Sequence, residues 1–210
     1  HFTSFCENNE KMYLISSKHL AIYNQQNGQV QYEEIPLDYS RLNCILSLGK
    51  DTIGIGTNNG IILFFAKSKQ FRNVEMHFNV MRLFEDSHNE LWLFSKEQRG
   101  IVRYDPLTNE QQHYETPTQN MPKAELRSRD VIFEDSQGTL WVVPHLGCLS
   151  YYDREDKELK PYYTDYSKPE SKFTPVILNF YVDNQKNFWY ANNFWMDKIS
   201  FFPNASQLTT

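Results

Sequence analysis

The chain has 210 residues, 40% of them hydrophobic and 15% aromatic, with 21 Lys and Arg against 26 Asp and Glu. That is enough material to bury a core, and the net charge of -5 argues against a nucleic-acid binder, whose phosphate contacts need a surplus of cations. The longest apolar run, Ile61 to Ala66, falls far short of the roughly 18 residues that cross a bilayer, and 15 Phe and 13 Tyr favour packed strands over helices.

Taken in chain order, the sequence divides into five units of short strands, with expected bounds 2–38, 39–78, 79–117, 128–166 and 174–210. The first runs through "ENNEKMYLISSKHLAIY", which places Tyr13 at the position that a tryptophan holds later in the chain. The second, "DTIGIGTNNGIILFF", places Gly54 there. The third is the clearest: Val80 to Glu85, Leu91 to Phe94, Ile101 to Tyr104 and Gln111 to Tyr114 read as four strands joined by polar turns. The fourth and fifth repeat it in "VIFEDSQGTLWVV" from Val131 and "ILNFYVDNQKNFWYA" from Ile177. Trp92, Trp141 and Trp189 align at spacings of 49 and 48 residues, a period typical of repeat architectures.

Strands such as Val131-Ile132-Phe133 are apolar at consecutive positions, so both faces of each sheet are expected to be covered. No stretch carries a helical period. Four-stranded units of this length, buried on both faces, describe an all-β protein: a β-propeller or propeller segment built of about five four-stranded antiparallel blades. Two long proline-bearing stretches, Glu115 to Arg129 and Lys160 to Pro175, are expected to be blade-to-blade loops.

The carboxylates present a choice. Glu85 with Asp86, Glu134 with Asp135, and Asp183 could form a glycosidase pair, which needs two carboxyls across one cleft. Recurrence favours architecture, because a catalytic site needs one pair and these recur in every clear unit. Asp86, Asp135 and Asp183 are therefore expected to fix hairpin turns, Trp92, Trp141 and Trp189 to pack between blades, and Gly60 and Gly138 to serve the turns of the repeat.

In an antiparallel four-stranded blade the second-to-third turn and the blade connector emerge at one end, and the Asp turn at the other. The first of these rims gathers the variable loops, and with them the candidate ligand-binding residues: Asn58, Asn59, Lys96, Arg99, His145, Asn192, Asn193, Phe194, Trp195 and Tyr163, the last accompanied by Tyr162 and Tyr166. Aromatics that stack on sugar rings beside amides and cations suit an oligosaccharide. Trp195 stands outside the repeat and is the sharpest of these candidates. The three cysteines, Cys6, Cys44 and Cys148, are scattered, with no ligand spacing, so buried thiols are expected and no metal or cofactor. The six histidines show no paired spacing, and Asn204-Ala205-Ser206 is a weak chance match to a glycosylation triplet.

The pattern D-x-x-G-x-L-W, complete in Asp135 to Trp141, and G-T-x-x-G, complete in Gly56 to Gly60, resembles the regulator-propeller repeat. That repeat is typical of the periplasmic sensor region of hybrid two-component histidine kinases from glycan-degrading gut bacteria. The resemblance implies a non-enzymatic, periplasmic domain that senses a glycan-derived oligosaccharide and controls polysaccharide-utilisation genes. Implied partners are the remaining propeller and sandwich domains of a parent chain, and a second copy in a homodimer. The membrane enters only through a parent segment that lies outside this sequence. With five units and no sandwich, membrane helix or kinase segment, the sequence is expected to be part of a longer protein. A propeller glycoside hydrolase or lyase, and a protein-interaction scaffold, are the rival readings.

Overall fold

A computed structural model describes residues 3–16, 18–36, 41–49, 51–95, 100–115, 131–143, 149–161, 179–183, 188–191 and 196–199. These residues contain nineteen strands and no helix. Four antiparallel sheets have four strands each. The first comprises β1 (Ser4–Asn8), β2 (Lys11–Ile15), β3 (His19–Asn24) and β4 (Val30–Glu34), and the second β5 (Leu42–Leu48), β6 (Thr52–Thr57), β7 (Gly60–Phe65) and β8 (Gln70–Glu75). The third comprises β9 (Val80–Glu85), β10 (Leu91–Ser95), β11 (Ile101–Tyr104) and β12 (Gln111–Tyr114), and the fourth β13 (Val131–Glu134), β14 (Leu140–Val143), β15 (Ser150–Asp153) and β16 (Glu158–Pro161). The fifth sheet has three described strands, β17 (Asn179–Val182), β18 (Phe188–Ala191) and β19 (Met196–Ile199).

Each sheet is a meander in which consecutive strands pair, the simplest result of short polar turns between apolar runs. The four strands read in the third unit are those observed, with β10 one residue longer. The chain forms two compact units, residues 1–98 with 103–111, and residues 99–102 with 112–210.

Within the first unit, β1 lies beside β5 and β5 beside β9, so the first strands of successive sheets are neighbours. The first and second sheets share one core: Tyr13, Ile15, Leu20 and Ile22 on one side, Ile45, Ile53, Ile55, Ile62 and Phe64 on the other. The Tyr13 and Phe64 rings sit 6.4 Å apart. Each fully buried aliphatic side chain contributes about 1.5–3 kcal/mol. The second and third sheets approach through small residues: a Cβ on Gly56 would lie 2.9 Å from the Val80 carbonyl oxygen, and one on Gly54 would meet Leu48 and Leu83. Polar bonds reinforce the stack. Asn8 Nδ2 donates to Ser47 Oγ at 2.7 Å and to the Gly49 carbonyl at 2.9 Å, the Gly49 N–H donates to Glu85 Oε2, and Asn43 Nδ2 donates to the Val80 carbonyl.

The expectation that both faces of every sheet are covered needs correction. The second strands of the second, third and fourth sheets conform, with β10 and β14 buried throughout, whereas β2 is buried only at Tyr13 and Ile15. The fourth strands do not: β4 and β12 are exposed at most positions. Being outermost in its sheet, a fourth strand has no neighbour along its free edge, and its polar sequence, as in Gln111-Gln112-His113, suits that position.

Candidate functional site

The repeated Asp turn is one piece of geometry, and the structure accounts for each of its letters. Asp135 Oδ1 accepts the backbone N–H groups of Gln137 at 2.9 Å and Thr139 at 3.0 Å, and its Oδ2 accepts the Trp141 indole N–H at 2.8 Å. Asp86 does the same with His88, Glu90 and Trp92, at 2.9, 2.9 and 2.8 Å. Asp183 Oδ2 takes the Trp189 indole N–H at 2.9 Å. Three residues after the Asp the backbone must enter the left-handed region, which Gly138 does at φ 79° and Asn89 at φ 61°. A backbone N–H from that residue closes the turn on the carbonyl of Asp135 or Asp86. Both carboxylates are buried, 7% and 4% exposed, and each is held by three donors, so each is committed to the fold. Trp92 and Trp141 are buried, and their hydrogen bonds to Asp, six residues back, are a role that periodicity did not reveal.

The turn between third and fourth strands is also repeated. Residues four positions after the first turn residue adopt positive φ: Gly28 at 71°, Asn109 at 65° and Lys157 at 54°. Asn24, Asp105 and Asp153 open these turns and accept backbone N–H groups two residues on. Hydrogen bonds from Leu107 and its neighbour hold the Asp105 carboxyl below its ordinary range. Lys160, bonded to Asp153 at 2.6 Å and also to Asp156, does so for Asp153, and the two carboxylates raise the Lys160 ammonium in return.

Of the candidate ligand residues, Asn58 and Asn59 are described, at the end of the second sheet opposite its first turn. Asn58 and Asn59 form the turn between β6 and β7, bounded by the buried Thr57, whose Oγ accepts the Asn59 N–H and donates to the Gly60 carbonyl. Gly60 has φ 121°, and a Cβ there would lie 2.2 Å from the Val74 carbonyl oxygen, so β7 and β8 pair only with glycine at that position. The turn meets both connectors, as blade topology requires. The Asn58 N–H donates to the Arg41 carbonyl, just before β5, and the Met76 N–H, just after β8, donates to the Asn59 carbonyl. Asn59 Nδ2 donates to Glu75 Oε1 at 2.7 Å, and His77 Nδ1 lies 3.6 Å from the same oxygen. Asn58 Oδ1 is buried without a partner. Arg41, Glu75 and His77 thus join Asn58 and Asn59 at one rim. Sequence reasoning missed them, although the antiparallel pairing of Gly60 with Glu75 could have located Glu75. Lys96, Arg99, His145, Asn192, Asn193, Phe194, Trp195 and Tyr163 lie outside the described residues.

Cys6 and Cys44 are free and half-buried, and burial pushes both thiols up to about 12. Cys148 lies outside the described residues. Among the described residues no group of three or more His, Cys, Asp or Glu is placed to hold a metal ion, and no helix is long and apolar enough to cross a membrane.

Repeated four-stranded meanders whose first strands are neighbours define the class: the chain is a β-propeller segment. No protein-family model matches the chain, and no curated protein matches it. Solved structures do. The extracellular domain of a protein of B. thetaiotaomicron described as a hybrid two-component system is 18% identical, with a TM-score of 0.67 over 94% of this chain and 26% of that one. A second such domain from the same organism is 16% identical, with a TM-score of 0.62 over 95% of this chain and 28% of that one. Virginiamycin B lyase from Staphylococcus aureus is 12% identical, with a TM-score of 0.67 over 97% of this chain and 70% of that one. The chain therefore spans about a quarter of the length of the two extracellular domains it matches.

Proposed function

We propose that this chain is part of the periplasmic sensing region of a hybrid two-component histidine kinase, and that it binds an oligosaccharide released from a glycan. The observation that carries the reading is the fold shared with extracellular domains of proteins described as hybrid two-component systems. The carboxylates that would otherwise argue for catalysis support it too, since Asp86 and Asp135 hold turns and an indole. In this reading the ligand meets the Asn58-Asn59 turn of the second sheet, and Trp195, Asn192 and Asn193 are further candidate contacts, each tested by its own substitution. Binding there shifts the population of two arrangements of the parent's β domains, or of two copies, and so reports to the kinase. Calorimetry against a panel of glycan oligosaccharides tests it. Saturable heat that Trp195→Ala or Asn58→Ala abolishes supports the reading, and no heat with any glycan, while partner domains bind, would leave a protein-interaction scaffold in its place.

A second reading, an enzyme, is favoured by one observation, the likeness to a lyase of the same fold. Incubation with the same glycans separates the two. Product that disappears in the Glu134→Gln variant would make this an enzyme.

A further inference from the structure

Among the described residues two buried side-chain oxygens have no hydrogen-bond partner, Asn43 Oδ1 and Asn58 Oδ1, and both fall at the same end of one strand pair. Leu42 opens β5 and lies cross-strand from Thr57, the last residue of β6, and the Asn58 N–H donates to the Arg41 carbonyl at 3.3 Å. A buried acceptor left unpaired forfeits the hydrogen bonds that water would give it, and so weakens the fold. The buried carboxylates of Asp86 and Asp135, in contrast, are each held by three donors.

The backbone position of Asn43 is repeated, but its residue type is not. The pairing of β5 with β6 slips there, with Leu42 facing Thr57 and Cys44 facing Gly56. The pairing of β9 with β10 slips at Met81 in the same way, with Val80 facing Ser95 and Arg82 facing Phe94. A bulge that recurs at the second residue of the first strand is architecture, and in the third sheet an apolar residue fills it. In the second sheet Asn43 reaches the third, where its Nδ2 donates to Asn79 Oδ1 at 2.7 Å and to the Val80 carbonyl at 2.9 Å. Two acceptors thus fix which end of the amide is the donor, and Oδ1 is left as a bare acceptor. An unpaired polar atom at a position where the repeat accepts an apolar side chain points to function rather than folding.

We propose that Asn43 is a ligand-binding residue and that Asn43 Oδ1 and Asn58 Oδ1 form a subsite for the hydroxyl groups of an uncharged saccharide. This subsite depends on the oligosaccharide reading given above, and it narrows the ligand to one class of sugar. Amide oxygens only accept, so their partner is a donor, which a saccharide hydroxyl is. Glu75, the charged group bonded to the turn through Asn59, adds a carboxylate that is 55% exposed and repels a uronate or sulfate brought to the same place. Both amide oxygens are closed to solvent in the free protein, so the Asn58-Asn59 turn moves as the ligand enters. The bonds that tie this turn to the two connectors are 3.3 and 3.2 Å long. Hydroxyls that pair with both oxygens return the free energy forfeited in the free fold, so the unpaired acceptors are stability given up for binding.

Calorimetry with neutral oligosaccharides and with uronate or sulfated counterparts of the same length, on wild type, Asn43→Ala and Asn58→Leu, tests the subsite, together with urea denaturation of each protein without ligand. Wild type is expected to bind the neutral sugars at least about tenfold more tightly than the acidic ones, and each variant to weaken that binding by at least about tenfold. Asn43→Ala also removes the bonds to Asn79 and Val80, so its urea midpoint falls. Asn58→Leu replaces an unpaired amide with an apolar group of similar size, and its midpoint is expected to equal or exceed that of wild type. Loss of binding in Asn58→Leu is therefore not loss of fold. Neutral sugars bound as tightly by either variant as by wild type, or acidic sugars preferred, would overturn the subsite and leave the oligosaccharide reading standing. A lower midpoint for Asn58→Leu would overturn it too, since the amide would then be structural. No heat from any sugar with wild type would sink the oligosaccharide reading and the subsite with it.

Discussion

At the scale of single residues, the Asp of each repeat holds more than its own turn. Asp135→Ala strands two backbone N–H groups and the Trp141 indole in a buried site, and loss of hydrogen bonds to a buried charge is expected to cost about 3 kcal/mol or more. Asp135→Asn keeps an acceptor but turns an amide N–H toward one of the three donors, so it should fall between wild type and the alanine variant in urea denaturation. The glycines separate two causes. Gly28 and Gly60 both have positive φ, but nothing lies within 4 Å of a Cβ at Gly28, whereas one at Gly60 would press on the Val74 carbonyl. Gly28→Ala is thus expected to cost about 1 kcal/mol, from backbone conformation alone, and Gly60→Ala at least about 3 kcal/mol, with a backbone shift added. The thiols give a chemical check. With burial holding Cys6 and Cys44 up to about 12, iodoacetamide at pH 8 should label their peptides far more slowly in the folded protein than in urea.

At the scale of the hairpin, the turn between third and fourth strands is one design filled by different residues. Where Gly28 and Asn109 hold the left-handed position, Lys157 does so against the preference of its side chain. Lys157→Gly should therefore stabilise the protein by about 0.5–1 kcal/mol, visible as a shift in denaturation midpoint with an unchanged m-value. The same turn carries a pH dependence. The Asp153 carboxyl is held low by Lys160, so its contribution is fully present above the ordinary Asp range near pH 4 and is lost as pH falls through the lowered value. Lys160 is raised, so its contribution is present at neutral pH and lost only as pH rises beyond the ordinary Lys range. Lys160→Met should flatten the loss of stability between about pH 5 and pH 2, followed by urea denaturation at each pH.

At the scale of the molecule, faces rather than residues decide the energetics. Ile55 is 0% exposed in the core shared by the first and second sheets, and Ile55→Ala should cost about 2–5 kcal/mol. Val30 is equally aliphatic but 48% exposed on the outermost strand β4, and Val30→Ala in the 210-residue chain should fall within about 0.5 kcal/mol of wild type. Denaturation of the two variants side by side checks the contrast.

Much of this was legible in the residues. The D-x-x-G-x-L-W pattern and its spacing revealed the repeat and the four strands of the third unit, because turn chemistry and strand alternation are local and the chain carries them in order. What periodicity could not supply was which atoms meet. It marked Asp135 and Trp141 as equivalent across units, but the bond between carboxylate and indole N–H forms only when a five-residue turn folds one strand back along the other. Nor could it show that Asn59 is bound to Glu75, or that Arg41 and His77 join the same rim, since those contacts bring together strands and connectors far apart in sequence. The clearest divide is between Phe5, 65% exposed, and Ile45, its counterpart in the second sheet, 7% exposed. Their sequence settings are alike, because alternation records only that a face is apolar. Whether that face is buried depends on what stands beside it, and that is a property of the assembled sheets.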